Sequence, residues 1–307
     1  MAEITAAAIA KLREQTGAGM MQCKQALVEA NGDMEEAKVI LRKKLGDKAA
    51  KRGAERTAAE GLVLAKIGES RTTGAMLELN CESDFVAKND DFKNLGRTLL
   101  AKLMSFEAGS APADREAFLA ADHEGKTVEA YINEAAGPIG EKVALGRFVR
   151  FDAPEGNTVA LYVHNPGGSG EEGGKIGALV ELTGADSAAL STLGKDVAQH
   201  ITAANPQYLT EGDVEEAILD KEREIARDQA ANDPKMAGKP EKAIEAMVNG
   251  RVRKFLEETV LLKQAYVRDP AKSIEAVVSD VPGATLVRFV RFRVGETALD
   301  QPEADEA

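Results

Sequence analysis

Two five-residue runs constrain what this chain can become: Arg147-Phe-Val-Arg-Phe151 recurs letter for letter as Arg288-Phe-Val-Arg-Phe292. Each follows a related segment, Gly74-Ala-Met-Leu-Glu-Leu79 for the first and Gly177-Ala-Leu-Val-Glu-Leu182 for the second. Self-similarity of this kind predicts two copies of one unit, each a hairpin, helices and a closing strand. In the first copy, strand-like residues over Gly61–Ile67 and Thr73–Asn80 flank the turn Gly68-Glu69-Ser70. Helical stretches follow at about Asp91–Phe106, Asp114–Leu119 and Val128–Glu134.

The copies differ in length. From Leu79 to Arg147 there are 68 positions and from Leu182 to Arg288 there are 106, so the second copy carries about 38 extra residues. The charged Asp213–Arg253 region accommodates them, with Val214, Ile218 and Ile225 marking one helix stripe and Ile244, Val248, Val252 and Phe255 another. Asp233-Pro234 and Gly238-Lys-Pro240 lie between. Two helices joined by such a turn predict an antiparallel coiled-coil hairpin over about 211–257. An arm of this kind exposes a seam. Homodimerisation and contact with another protein are two uses for it, and packing on the parent domain is the plain alternative.

Ahead of the repeats, three short helices are expected: Ile4–Gln15 after a Thr5 cap, Gly19–Ala30, and Asp33 to about Leu45. Gly17 and Asn31-Gly32 punctuate them, and Asp33 with Glu36 forms a capping-box-like start. Met20, Cys23 and Leu27 supply one buried stripe, and Ala37, Ile40 and Leu41 another. Met20 and Met21 are adjacent, so at least one of them must face outward. The basic stretch from Lys43 to Arg56 reads as a helix end running into a linker.

Composition narrows the function. With 51 acidic against 39 basic residues the net charge is -12, which repels a phosphate backbone, so no direct nucleic-acid partner is expected. Cys23 and Cys81 are far apart and do not join His123, His164 or His200 in ligand-like spacing, so neither a metal site nor a disulfide framework is visible. That cysteine usage suits a reducing cytosol. The start Met1-Ala-Glu-Ile-Thr5 is unlike a signal peptide and no stretch approaches a membrane span, so a cytoplasmic location without membrane contact is expected.

Thr16-Gly-Ala-Gly19 lacks the preceding strand and following Gly-Lys-Ser/Thr of a phosphate loop, and reads as helix punctuation. Gly167–Gly174, with two acidic residues, is a poor anion cradle and reads as a hairpin loop. No nucleophile motif and no histidine pair at metal spacing occur, so the chain is not expected to be an enzyme or to carry a cofactor. Asn80-Cys-Glu-Ser-Asp-Phe-Val-Ala-Lys-Asn89 leaves a strand and meets a helix. There Asp84 and Phe85 can be presented outward, or Phe85 can plug the core while Asp84 caps the next helix. The residues alone leave both readings open.

Two long runs carry a resemblance. Leu12-Arg-Glu-Gln-Thr-Gly-Ala-Gly-Met-Met-Gln-Cys-Lys-Gln-Ala-Leu27, with Glu29-Ala-Asn-Gly-Asp33, resembles the opening signature of the elongation factor Ts family. The Asn80–Asn89 run resembles its second signature, with Ser83 where the family usually has Thr. Members of that family are guanine-nucleotide exchange factors for elongation factor Tu. The resemblance implies an α+β protein: a three-helix domain similar to ubiquitin-associated domains over 1–50, a linker at 51–58, and core subdomains at 59–152 and 153–295. The second subdomain holds the helical hairpin and a C-terminal module at about 264–282, and an acidic tail occupies 296–307.

Carried over by position, the resemblance implies that Ser83, Asp84, Phe85 and Val86 reach the GTPase and dislocate its magnesium, releasing GDP and holding the nucleotide-free form until GTP binds. Ile139 and Gly140 are implied as a neighbouring contact, Arg13, Met20, Met21 and Lys24 as the grip of the N-terminal domain, and His164 as a contact with another domain of the partner. The alternative function is a non-catalytic scaffold that tethers partners through the three-helix domain and the arm.

Overall fold

The computed structural model describes residues 4–16, 18–41, 44, 58–165, 171, 173–185, 187–232 and 239–296. Residues 51–57 of the expected linker, most of the Gly-rich loop, residues 233–238 of the arm's Pro/Gly turn and the tail from 297 lie outside the described residues.

Helices α1 (Ala6–Thr16), α2 (Met20–Glu29) and α3 (34–41) open the chain. Thr5 Oγ1 accepts the Ala8 N–H at 3.2 Å and Asp33 Oδ1 accepts the Glu36 N–H at 2.8 Å, so both expected caps form. Their core is Leu12, Cys23, Ala26, Leu27, Ala37 and Leu41. Met20 does not join it. As the first residue of α2 it leans toward the helix N-terminus, off the end of the packed stripe, and it is exposed, as is Met21.

Strands β1 (Glu60–Ile67) and β2 (Thr73–Cys81) pair antiparallel from Glu60↔Cys81 to Ile67↔Gly74. The one-turn helix α4 (Asp84–Ala87) follows, then α5 (Asp90–Met104), α6 (Arg115–Ala120), the two-residue strands β3 (Asp122–His123) and β4 (Lys126–Thr127), and α7 (Val128–Ile139). Strand β5 (Val143–Asp152) then closes on β2. Helix α7 runs beyond the expected Glu134 because Pro138 falls in its last turn, where the missing N–H costs one hydrogen bond instead of breaking a longer ladder.

The second sheet has the same order and sense: β6 (Asn157–Val163), β7 (Ile176–Thr183) and β10 (Thr285–Arg293), with β7 central as β2 is in the first. Between β7 and β10 come α8 (Ser187–Ala204), α9 (Glu216–Asn232), α10 (Glu241–Thr259), the strands β8 (Ala265–Tyr266) and β9 (Asp269–Ser273), and α11 (Ile274–Ser279). The chain is thus a mixed α+β protein with N-terminal helices and small antiparallel sheets.

The two three-stranded sheets stack on each other through Val63, Ala65, Met76, Phe151, Val159, Leu179 and Phe292. Their outer faces are covered by helices, α5 and α7 on Leu64, Leu77 and Leu79, and α8 and α11 on Val180 and Leu182. Strands covered on both faces read as continuous apolar runs. The covering helices come close: a Cβ at Gly96 of α5 would lie 2.9 Å from Leu64, and one at Gly194 of α8 only 2.5 Å from Ala160.

The repeated run joins the layers reciprocally. Arg147 Nε donates to the buried Glu78 at 3.0 Å and Arg288 Nε to the buried Glu181 at 2.6 Å. Each guanidinium then lies over the phenylalanine that ends the other copy's run, Arg147 over Phe292 at 4.5 Å and Arg288 over Phe151 at 4.1 Å.

In the arm, Ala226, Ala230 and Val248 are buried where α9 meets α10, whereas Ile225 is 40% exposed. The expected α9 stripe is therefore phased one position off, and small residues fill the seam. Val214 follows a 3-10 turn at Glu211–Asp213 and lies before the helix. The arm's base is pinned by a parallel bridge between Tyr208 and Val260, and by the Leu261 N–H donating to the Tyr208 carbonyl at 2.8 Å.

Candidate partner-binding site

Strand β2 delivers the chain to Ser83, whose Oγ accepts the Val86 N–H at 3.4 Å and caps α4. Asp84 is not the cap. In a helical turn, positions two apart point to nearly opposite sides. Ala87 is buried and Val86 packs against the first core, so Phe85 is turned outward and is 80% exposed. The core-plug reading of Phe85 is thereby excluded for the free protein.

Asp84 makes an i,i+4 ion pair with Lys88 at 2.8 Å. That hydrogen bond, first among the influences on it, holds the Asp84 carboxyl below its ordinary value, so the group is a carboxylate at neutral pH. Cys81, just behind the turn, is buried, and burial, followed by the charge of Glu141, pushes its thiol up to about 12. A thiol that stays protonated is a packing residue and not a nucleophile.

The antiparallel partner of β2 brings a second segment alongside. Helix α7 ends at Gly140, whose φ of +84° favours glycine, with Ile139 half-buried before it and Glu141 after it. Glu141 accepts two hydrogen bonds from Ser83, one from its N–H at 3.0 Å and one from its hydroxyl at 2.7 Å. Ser83–Val86 and Ile139–Gly140 therefore form one surface. The family resemblance pointed to Ile139 and Gly140 but not to Glu141.

Arg13 on α1 and Met20, Met21 and Lys24 on α2 are exposed, so they are available to a partner. A cleft of about 420 Å³ between Thr16 and Leu41 on one side and Tyr131 and Pro138 on the other sets these helices beside α7. Val28 and Val39 also stand exposed on α2 and α3, beyond the residues the sequence pointed to. His164 sits elsewhere, exposed at the end of β6 with Nδ1 3.0 Å from the Tyr162 hydroxyl. Its backbone N–H donates to the Ile176 carbonyl at 2.8 Å, which fixes it at the β6–β7 edge and not at the Phe85 turn.

Among the described residues no three His, Cys, Asp or Glu side chains gather as a metal site, and no helix is long and apolar enough to cross a membrane. An exposed aromatic on a capped turn, flanked by a carboxylate, has the make-up of a contact surface for another macromolecule.

Comparison with known proteins gives the particular family. The family model described as Elongation factor TS matches residues 82–296. The chain is 44% identical over 296 residues to elongation factor Ts of Azoarcus sp. (strain BH72), covering 96% of this chain and 92% of that one. It is likewise 44% identical over 296 residues to elongation factor Ts of Streptomyces griseus, covering all of that protein, and 42% identical over 293 residues to that of Thioalkalivibrio sulfidiphilus. This chain belongs to the elongation factor Ts family, whose members are exchange factors and not catalysts of a chemical step.

Proposed function

We propose that the chain binds elongation factor Tu loaded with GDP and speeds GDP release by dislocating the magnesium ion that holds the phosphates. Ser83, Asp84, Phe85 and Val86 act at that site, and Ile139 and Gly140 act beside it. The observation that carries this reading is the 80% exposure of Phe85 on a capped turn beside an ionised Asp84. An aromatic anchor can enter a partner pocket, and a carboxylate can compete for the groups that order a magnesium ion. A factor that binds the empty GTPase more tightly than the loaded one weakens nucleotide binding by the same ratio, so no chemistry of its own is needed.

Around this centre, the three N-terminal helices act as a docking domain like a ubiquitin-associated domain, gripping the same partner through Arg13, Met20, Met21 and Lys24. His164 meets another domain of it. The matching strand orders and the equivalent Arg–Glu pair within each copy support reading 59–152 and 153–295 as copies of one unit. The second copy bears an antiparallel helical arm, suited to self-association, and a C-terminal module at about 264–282. The test is release of labelled GDP from elongation factor Tu. Phe85→Ala should weaken binding by about 2 to 4 kcal/mol, roughly 30- to 1000-fold, and slow release while its melting temperature stays near the parent's. A variant that melts early yet exchanges normally would overturn the reading.

A further inference from the structure

We propose that Glu141 is a positioning residue for nucleotide exchange, locking Ser83 and thereby fixing the direction in which Phe85 is held. The inference rests on the exchange reading above. The last ladder pair between β2 and β5 is Cys81↔Val143, and beyond it both chains leave the sheet, one toward α4 and the other from the end of α7. Side chains take over where the ladder ends. Glu141 Oε2 accepts the Ser83 N–H at 3.0 Å and its Oε1 accepts the Ser83 hydroxyl at 2.7 Å. In return Glu82 Oε1 accepts the Lys142 N–H at 2.6 Å. Each chain thus reaches across to the other's backbone with a carboxylate.

The turn needs this support. Helix α4 has four residues, too few to sustain itself, and its only side-chain cap is the 3.4 Å contact from the Val86 N–H to Ser83 Oγ. That hydroxyl can hold its place because it donates to Glu141 while accepting from Val86. Phe85 makes little contact of its own, being 80% exposed, so the backbone of the turn alone aims it. The same carboxylate belongs to the residue after Gly140, so one group fixes the spacing between the two segments proposed to meet the partner. A ring that is already aimed loses less freedom on binding.

The experiment measures GDP release from elongation factor Tu at sub-saturating concentrations of the full chain for Phe85→Ala, Glu141→Ala, Glu141→Gln and the Phe85→Ala/Glu141→Ala double variant. Losing two charge-assisted bonds from Ser83 should lower stimulated release about tenfold in Glu141→Ala. A glutamine can accept the Ser83 N–H and donate to the hydroxyl, so Glu141→Gln should stay within about threefold of the parent. In the Phe85→Ala background the Glu141→Ala loss should shrink to less than about twofold, because there is no ring left to aim. If Phe85→Ala alone exchanges like the parent, the exchange reading fails, and this inference with it. If Phe85→Ala is impaired but Glu141→Ala is not, or its loss persists undiminished in the double variant, the positioning role alone is overturned. Should Glu141→Ala not fold, Ser83→Ala removes the hydroxyl arm of the same clamp, and parental release by that variant counts against the proposal.

Discussion

Replacing Arg147 by Met should destabilise the whole core by about 3 kcal/mol. The carboxylate of Glu78 is only 1% exposed and receives three donors: Arg147 Nε at 3.0 Å, Asn80 Nδ2 at 2.9 Å and the Gly295 N–H at 2.9 Å. Removing one member of a buried ion pair costs about 3 to 5 kcal/mol, and the two donors that remain place this case at the lower end. Arg147 also covers the Phe292 ring at 4.5 Å, a contact of about 1 kcal/mol when partly desolvated. A methionine restores much of that cover through its own favourable contact with the ring. Urea unfolding followed by far-ultraviolet circular dichroism suits the measurement, since the chain has no tryptophan. With a slope of about 3 kcal/mol per molar the midpoint should fall by roughly 1 M. Adding Glu78→Gln removes the orphaned charge, so the double variant should regain a good part of the loss. A single variant within about 1 kcal/mol of the parent, or a double variant no better than the single, would refute the view that this buried pair fastens the sheets.

Two further outcomes follow from other regions. His200 is fully buried, with Nε2 2.8 Å from Gln264 Oε1 and Nδ1 accepting the Val267 N–H at 3.3 Å. Tyr266 and the Arg268–Asp196 pair lie in the same region. Burial, only partly opposed by the Gln264 bond, holds its pKa below the ordinary histidine value. The unfolded chain therefore takes up the proton first, and stability that is complete above about pH 6.5 should decline as the pH falls toward the depressed folded value. His200→Gln should melt lower at pH 7.5 but show a flatter decline below pH 6.5, and parallel curves would assign the pH dependence elsewhere. For the arm, exchanging residues 216–259 for a short Gly/Ser link should leave exchange within about tenfold, or roughly 1.4 kcal/mol, while altering any self-association seen in sedimentation. A shortened protein that fails to fold would make the arm part of the core.

How much of this was legible beforehand depended on whether the information was local. Matching runs such as Arg147–Phe151 and Arg288–Phe292 announced two similar units, and caps at Thr5 and Asp33 announced helix starts, because each is a pattern within a few residues. The crossed stacking of Arg147 on Phe292 was not legible, since it arises only when two sheets face each other. Glu141 escaped notice because its partner Ser83 is 58 positions away and meets it only through the pairing of β2 with β5. A third repeated element, Leu95-Gly96-Arg97 against Leu193-Gly194-Lys195, was visible in principle. It is short, and its meaning lies in how closely each glycine lets its helix approach the sheet. For Phe85, hydrophobicity favoured burial and the phase of one helical turn decided otherwise. In the arm, aliphatic size pointed to Ile225, whereas Ala226 and Ala230 are the residues that close packing selects.

The bridge between Tyr208 and Val260 also bears on how such a chain can change over time. Because the segment leaves and re-enters the body at adjacent points, what lies between them is closed off by the stem and not by its own length. Doubling a closed segment adds only about 0.6 kcal/mol of closure entropy. Insertions and deletions of whole helical turns distal to the stem are thus nearly neutral for the parent fold. The arm is the part of this molecule free to lengthen, shorten or acquire new contacts without renegotiating the fold that carries it.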